Sequence, residues 1–314
     1  MRAVVIHDGD LLIEERPNPV PQPTEVLVEV AAAGLNGADI LQRRGFYPAP
    51  AGAPVDIPGL EFAGTVVERG SEVSSLAVGT RVMGIVAGGA QATHCLIDAS
   101  HALVVPDSVD FLCAGGFAEA FSTAHDALIT QARLKAGDRV LISGAAGGVG
   151  TAAIQIAVNL GATVVASVRD ASRHEQVAGL GASNVIVPED VGHYGPYDVV
   201  LELVGAPSLD VALGALAMGA RVSVIGVGAG AKVELNLLGL MGARAQLTGA
   251  TLRARSREEK AAVAQGVRED LLPLLTSGKL RVPILQSFPL SDVAHAYERF
   301  TAGGKLGKIV LVTT

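Results

Sequence analysis

The segment that most restricts what this chain can fold into runs from Val140 to Ala157. It reads Val140-Leu141-Ile142-Ser143-Gly144-Ala145-Ala146-Gly147-Gly148-Val149-Gly150, followed by Thr151-Ala152-Ala153-Ile154-Gln155-Ile156-Ala157. A short apolar run enters a glycine-rich turn, and the turn opens an alanine-rich helical stretch. Glycine is needed where backbone turns tightly or comes close to a pyrophosphate. The helix behind it offers open amides and a positive dipole end to the phosphates. The glycines depart from G-x-G-x-x-G: they fit G-x-x-G-x-x-G (Gly144, Gly147, Gly150) and equally G-x-x-x-G-x-G (Gly144, Gly148, Gly150). A glycine pattern alone is weak, and its strand-before, helix-after setting is what gives it weight. The competing structural reading is a turn that needs glycine only to pack a helix on a sheet.

The second spacing also occurs in short-chain dehydrogenases, which rely on Tyr-x-x-x-Lys. The four tyrosines, Tyr47, Tyr194, Tyr197 and Tyr297, are followed at that distance by Ala51, Asp198, Leu201 and Thr301, so that mechanism is excluded. The stretch from Val140 to Val168 holds no charge and imitates a membrane span. Ser143, Thr151, Gln155, Asn159, Thr163, Ser167 and its glycines interrupt it, so a buried strand–helix–strand fits better.

Beyond the loop the pattern is strands alternating with helices. Phe117–Gln131 reads as a helix, Arg139–Ser143 as a strand, Gly150–Leu160 as a helix, and Thr163–Val168 as a second strand. A helix over Ser172–Leu180, strands at Val185–Val187 and Val199–Val204, a helix over Leu209–Met218, and strands at Arg221–Gly226 and Ala245–Ala250 follow. This is the signature of a doubly wound parallel sheet. The first third is different. Ala3–Ile6 and Leu11–Ile13 flank a hairpin turn, prolines 17, 19, 21 and 23 force an extended loop, and Val26–Val30 alternates like a half-exposed strand. Glu61–Glu68 and Thr80–Val86 are further strands. Ser256 and Glu259 fit a capping box opening a long helix, after which Ile284–Phe288, a helix over Asp292–Thr301 and Ile309–Val312 close the chain. The expected fold class is α/β, with a β-rich domain from both chain ends (1–118 and 255–314) and an inserted dinucleotide-binding domain (119–254).

The 314 residues suffice for two domains of ordinary size. With 24 Lys and Arg against 31 Asp and Glu, and no basic stripe, the chain is not expected to bind nucleic acid. Two cysteines, Cys95 and Cys113, cannot form a disulfide framework, and Met1–Asp10 lacks a signal-peptide core; the expected compartment is the cytoplasm. The choice between dinucleotides turns on the end of the second strand of the inserted domain. It reads Ala166-Ser167-Val168-Arg169-Asp170-Ala171-Ser172-Arg173. NAD sites place an acidic residue there, whereas Arg169 and Arg173 favour a 2′-phosphate, which a guanidinium can grip through two oxygens. NADPH is expected over NADH, the alternative being a solvated charge cluster.

With these residues in hand, the chain resembles the zinc-independent quinone oxidoreductase (zeta-crystallin-like) branch of the medium-chain dehydrogenase/reductases, over nearly its whole length. The carriers are Ala32-Ala33-Gly34-Leu35-Asn36-Gly37-Ala38-Asp39 with Leu41-Gln42-Arg43-Arg44-Gly45, Ile57-Pro58-Gly59-Leu60-Glu61-Phe62-Ala63-Gly64, Val78-Gly79-Thr80-Arg81-Val82-Met83, the glycine loop, Thr248-Gly249-Ala250-Thr251-Leu252-Arg253, and Gly307-Lys308-Ile309-Val310-Leu311. The resemblance implies a GroES-like β domain, a Rossmann domain, a cofactor cleft between them and a homodimer. It implies Asn36 and Tyr47 at the nicotinamide and substrate end, and Gly147, Gly148 and Val149 on the pyrophosphate. Ser167 and Arg173 would lie at the 2′-phosphate with Arg169 nearby. Val204, Ile225, Gly226 and Leu252 would flank the nicotinamide, with Thr123 and Lys308 near the cofactor. The plainer readings are a turn support for Asn36, a loop-packing aromatic for Tyr47 and a surface strand residue for Lys308.

Zinc relatives carry cysteine where Asn36 stands and histidine where Leu60 stands, and no Cys or His pair here has ligand spacing, so no metal is expected. Glu61 then reads as a hydrogen-bonded structural carboxylate. Two departures from the family stand out: Pro188 replaces a common tyrosine, and Ala90-Gln91-Ala92-Thr93-His94 replaces a more aromatic sequence, which leaves room for a smaller or more polar acceptor. The function implied is NADPH-dependent hydride transfer to a small-molecule quinone or α,β-unsaturated carbonyl. The alternatives are a trans-acting enoyl thioester reductase and a non-catalytic NADPH-binding protein.

Overall fold

The computed structural model describes residues 1–313. The chain forms two compact units, Met1–Ser122 with Leu252–Thr314 and, inserted in sequence, Thr123–Thr251.

The first unit opens with the expected hairpin, β1 (Arg2–His7) and β2 (Asp10–Glu15), with His7 opposite Asp10. Its turn holds Asp8 at φ 48° and Gly9 at φ 90°, the left-handed pair that matches strand twist. β3 (Glu25–Gly34), α1 (Gly37–Arg43), β4 (Glu61–Arg69), β5 (Arg81–Ile85), β6 (His94–Asp98), β7 (Leu103–Val104), α2 (Phe111–Gly115) and α3 (Ala118–His125) follow. The helix expected over Phe117–Gln131 begins as α3 and widens into a π-helical turn over Asp126–Gln131.

In the second unit come β8 (Arg139–Ile142), α4 (Gly148–Asn159), β9 (Thr163–Ser167), α5 (His174–Ala178), β10 (Asn184–Ile186), β11 (Tyr197–Glu202), α6 (Ala206–Leu213), β12 (Leu216–Val224), α7 (Leu237–Ala243) and β13 (Gln246–Gly249). The chain then returns to the first unit with α8 (Arg257–Asp270), α9 (Leu272–Thr276), β14 (Ile284–Pro289), α10 (Val293–Thr301) and β15 (Lys308–Val312). The capping box on α8 is formed: Glu259 N donates to Ser256 Oγ at 3.2 Å and Ser256 N to Glu259 Oε2 at 2.9 Å.

The first unit's main sheet runs β14-β15-β3-β4-β5-β7, with β6 also on β3. β15 pairs antiparallel with β3, Val310 opposite Gly34, which is why this unit needs both chain ends. β3 is not half-exposed as its alternation suggests: both of its faces are covered over Val26, Leu27 and Val28, which are all buried, and Glu29 is the exposed residue. Val26, Val28, Val30, Phe62, Val66 and Val82 form one core. A second packs Val293, Ala296 and Tyr297 of α10 against Leu35, Ile309 and Leu311.

The second unit is a six-stranded parallel sheet in the order β10-β9-β8-β11-β12-β13. The strand order reverses between β8 and β11, and the crevice at such a switch point, outside the strands' carboxyl ends, is where open α/β sheets bind ligands. Two elements differ from expectation. The helix expected over Leu209–Met218 ends at Leu213, capped by Gly214, and Leu216–Met218 already belong to β12. Ala215-Leu216-Ala217-Met218 is apolar without a period, so sequence cannot separate helix from strand there. The helix expected over Ser172–Leu180 is a 3-10 turn at Ala171–Arg173 and the short α5, because the Asp170 side chain accepts from Ser172 N and caps a tighter start. Among the described residues, no helix is long and apolar enough to cross a membrane.

Candidate functional site

In the second unit the glycine loop links β8 to α4, and its glycines do different work. Gly144 has φ 59°, and a Cβ there would lie 3.1 Å from Val204 Cγ2. A Cβ on Gly150 would come within 2.6 Å of the Ala145 backbone, so the fold itself requires glycine at both positions. Gly147 is extended (φ −72°, ψ 170°), and its Cβ would meet nothing closer than Gly144 O at 3.4 Å. Packing therefore does not explain Gly147. Gly147 is the N-cap of α4 and supplies no side chain to the first-turn amides of Gly148, Val149 and Gly150. Bare amides at the start of a twelve-residue helix, behind a glycine that leaves room for close approach, fit a pyrophosphate.

Beside this loop, Ser167 ends β9, buried, and its carbonyl accepts from Ala145 N at 3.1 Å, tying the two strand ends together. Arg169 is exposed just beyond. Arg173 lies one turn further, with Nη1 donating to Gln176 Oε1 at 3.1 Å and Nε 3.9 Å from Asp170 Oδ2. Asp170 is itself bound to Ser172 through N and Oγ, and those hydrogen bonds, with the neighbouring Arg173, hold its carboxyl below the ordinary range. Val204, Ile225 and Gly226 gather at the ends of β11 and β12: Ile225 N and Gly226 N both donate to Glu202 O. A Cβ on Gly226 would fall 2.3 Å from Leu203 O. Thr123 is buried in α3 as the first residue of this unit.

The first unit brings Asn36 and Lys308 together. Lys308 is buried, not a surface residue: its Nζ donates to Leu35 O (2.9 Å) and Asn36 Oδ1 (2.6 Å) and pairs with Glu61 Oε1 at 2.6 Å. Asn36 Nδ2 donates to Glu61 Oε1 (3.0 Å) and Gly34 O (3.3 Å), and Glu61 Oε2 accepts from Glu119 N (2.8 Å). Glu61 is thus the hydrogen-bonded structural carboxylate that the sequence suggests. A second buried carboxyl, Asp39, accepts from Asn36 N (2.8 Å) and Gly59 N (3.2 Å). Burial pushes its pKa up to about 7, helped by the Glu61 charge and opposed by those amides and by Lys308. Among the described residues, no three His, Cys, Asp or Glu side chains are grouped to hold a metal ion.

Tyr47 is half-buried under Arg253, whose guanidinium lies 5.0 Å from the ring centroid. Burial raises the phenol's pKa, against the pull of Arg253, so it stays protonated. Arg253 is a clamp for three segments: it donates to Ala87 O (2.8 Å), Tyr47 O (2.9 Å) and Gln42 Oε1 (2.6 Å). Leu252 lines a cavity of about 30 Å³, one water in size, with Ile85, His101, Leu103, Lys260 and Val263. Sequence reading singled out neither Arg253, Asp39 nor Glu202, whose buried polar contacts the structure reveals. Arg253 and Asp39 lie inside the family motifs; the partners of Arg253 are far away in the chain and leave no local signal, whereas Asp39 closes a capping box with Asn36 three residues before it, a spacing the sequence does carry.

Residues 22–132 match the alcohol dehydrogenase GroES-like domain family and residues 148–267 the zinc-binding dehydrogenase family. Quinone oxidoreductase of Lama guanicoe is 32% identical, over 94% of this chain and 90% of its own. Mycocerosic acid synthase-like polyketide synthase of Mycobacterium tuberculosis is 33% identical over 93% of this chain, a match that spans 14% of that much longer protein. The crystal structure of an alcohol dehydrogenase superfamily protein from Novosphingobium aromaticivorans superposes with a TM-score of 0.88, at 31% identity and 100% coverage of both chains. Fold and site define an oxidoreductase of the class that uses a nicotinamide dinucleotide, with a GroES-like and a Rossmann unit. The chain belongs to the medium-chain dehydrogenase/reductase superfamily, in its quinone oxidoreductase branch.

Proposed function

We propose that this chain is an NADPH-dependent reductase of a quinone or α,β-unsaturated carbonyl, working without zinc. The observation that carries the reading is the uncapped start of α4, whose open amides suit a pyrophosphate, while Arg173, just past the end of β9, offers a guanidinium that suits a 2′-phosphate. NADPH, when bound, supplies a hydride from C4 of its nicotinamide. Gly147, Gly148 and Val149 hold the pyrophosphate, and Ser167, Arg169 and Arg173 the 2′-phosphate. Val204, Ile225, Gly226 and Leu252 flank the ring, with Thr123 near it. Tyr47 donates a hydrogen bond to the acceptor carbonyl: its phenol is protonated, and its hydroxyl has no hydrogen-bond partner among the described residues. Asn36 has both amide protons engaged, so it acts by orienting the site together with Lys308. An ammonium 2.6 Å from Glu61 neutralises the charge that a divalent cation would need, which supports chemistry without zinc.

Arg173→Glu tests the cofactor assignment. NADPH affinity should fall by about a hundredfold, the equivalent of about 2.8 kcal/mol, while NADH affinity changes by less than about threefold. Equal losses for both cofactors would defeat it. Reduction of an enoyl thioester is the second reading, favoured by the match inside a polyketide synthase; turnover of enoyl thioesters but not quinones would select it. Tight NADPH binding with no turnover would select a non-catalytic role. A cytoplasmic location is supported by two free cysteines. A homodimer is supported by α7, which buries none of its residues.

A further inference from the structure

Glu202 ends β11 with no exposed surface, and it has no ion-pair partner among the described residues. Burying a carboxylate is costly unless donors replace its water. The donors here are unevenly arranged. Oε1 accepts three hydrogen bonds, from Ser143 Oγ (2.8 Å), Val204 N (2.6 Å) and Gly205 N (2.8 Å), whereas Oε2 has none. Ser143 Oγ in turn accepts from Leu203 N at 2.8 Å. Three consecutive amides, of Leu203, Val204 and Gly205, are thus folded around one hydroxyl–carboxylate pair.

The groups held by that pair lie on different loops. Ser143 is the residue before Gly144, where the phosphate loop begins. Val204 belongs to the turn after β11, and Gly144 is glycine with Val204 Cγ2 only 3.1 Å from where its Cβ would stand. The Glu202 carbonyl takes Ile225 N and Gly226 N at 2.9 and 3.1 Å, and Val204 O takes Ala229 N at 2.9 Å. A Cβ on Gly205 would stand 2.5 Å from Gly230 O, so the turn cannot slide independently. All three donors to Glu202 fall on one oxygen, at the point where three loops meet.

We propose that Glu202 is a positioning residue that, through Ser143, couples the phosphate loop to the Val204 turn, so that one buried carboxylate sets the geometry of the nicotinamide half of the cofactor site. The inference rests on the dinucleotide reading above. Ser143→Ala removes the relay, Glu202→Asp draws the carboxylate back by one methylene, and Glu202→Gln keeps shape and acceptor. Apo melting temperature, affinity for NADPH, affinity for 2′,5′-ADP, and kcat with a quinone would be measured for each.

Ser143→Ala and Glu202→Asp should weaken NADPH by about tenfold, the equivalent of about 1.4 kcal/mol, and lower kcat. Both should leave 2′,5′-ADP, which lacks the nicotinamide half, within about twofold. Glu202→Gln should recover most of the loss. Unchanged NADPH affinity and kcat in Ser143→Ala would overturn the proposal even if Glu202→Asp fails to fold. So would a parallel fall for both probes that tracks the melting temperature. Wild-type protein that binds neither probe would instead overturn the dinucleotide reading, which separates the two failures.

Discussion

Water is what normally keeps a carboxyl group ionised, and Asp39 is fully buried away from it. Its pKa is pushed up to about 7 by that burial, against about 4 in an unfolded chain. Between those values the folded state holds a proton that the unfolded state has released. The contribution is therefore intact below about pH 4 and is lost as pH rises through 7, at up to about 1.4 kcal/mol per pH unit. Asp39→Asn carries no charge to bury. Denaturant unfolding at pH 5 and pH 8 should show the variant gaining on the wild type by on the order of a few kcal/mol as pH rises. A pH-independent difference would mean that Asp39 is ionised throughout. Nothing in the sequence around Asp39 announces this behaviour, because it comes from burial and the Glu61 charge outweighing the opposing amides and Lys308, a balance struck between distant parts of the chain.

At the scale of elements, β8, the glycine loop and α4 are the part most legible in the sequence. Strand, turn and helix each carry their own signal there, and the structure reproduces all three. The end of α6 was not legible, since only the Gly214 cap marks the change from helix to strand inside an apolar run. The Tyr47 loop was equally opaque, held as it is by Arg253 from more than two hundred residues away. Structure also separates glycines that look alike in sequence. Gly150→Ala should cost about 1–3 kcal/mol or fail to fold, because its methyl would meet the Ala145 backbone. Gly147→Ala should unfold within about 0.5 kcal/mol of the wild type yet lose NADPH affinity by about tenfold. Thermal melts with calorimetric titration would check both. Normal binding by Gly147→Ala would show that the loop does not cradle a phosphate.

For the whole molecule, sequence made the insertion of one unit into another visible, because β-type and alternating patterns change over and then return. Assembly is less visible, being a property of surfaces. In the second unit α7 exposes Leu237, Leu238 and Met241 (62, 80 and 69%), and β13 is the outer strand of its sheet. An apolar helix beside an open strand edge suits a two-fold contact with another copy, in which each edge faces its equivalent. Leu238→Asp with Met241→Asp should convert a dimer to a monomer in sedimentation velocity, with the fold retained by circular dichroism. A monomeric wild type would contradict the assembly. Hydride transfer itself is followed with NADPH carrying deuterium at C4, offered a quinone and an enone as acceptors. One NADPH should be oxidised per acceptor reduced, with deuterium on the carbon of the reduced enone. Tight NADPH binding with no oxidation against quinones, enones and enoyl thioesters alike would contradict it.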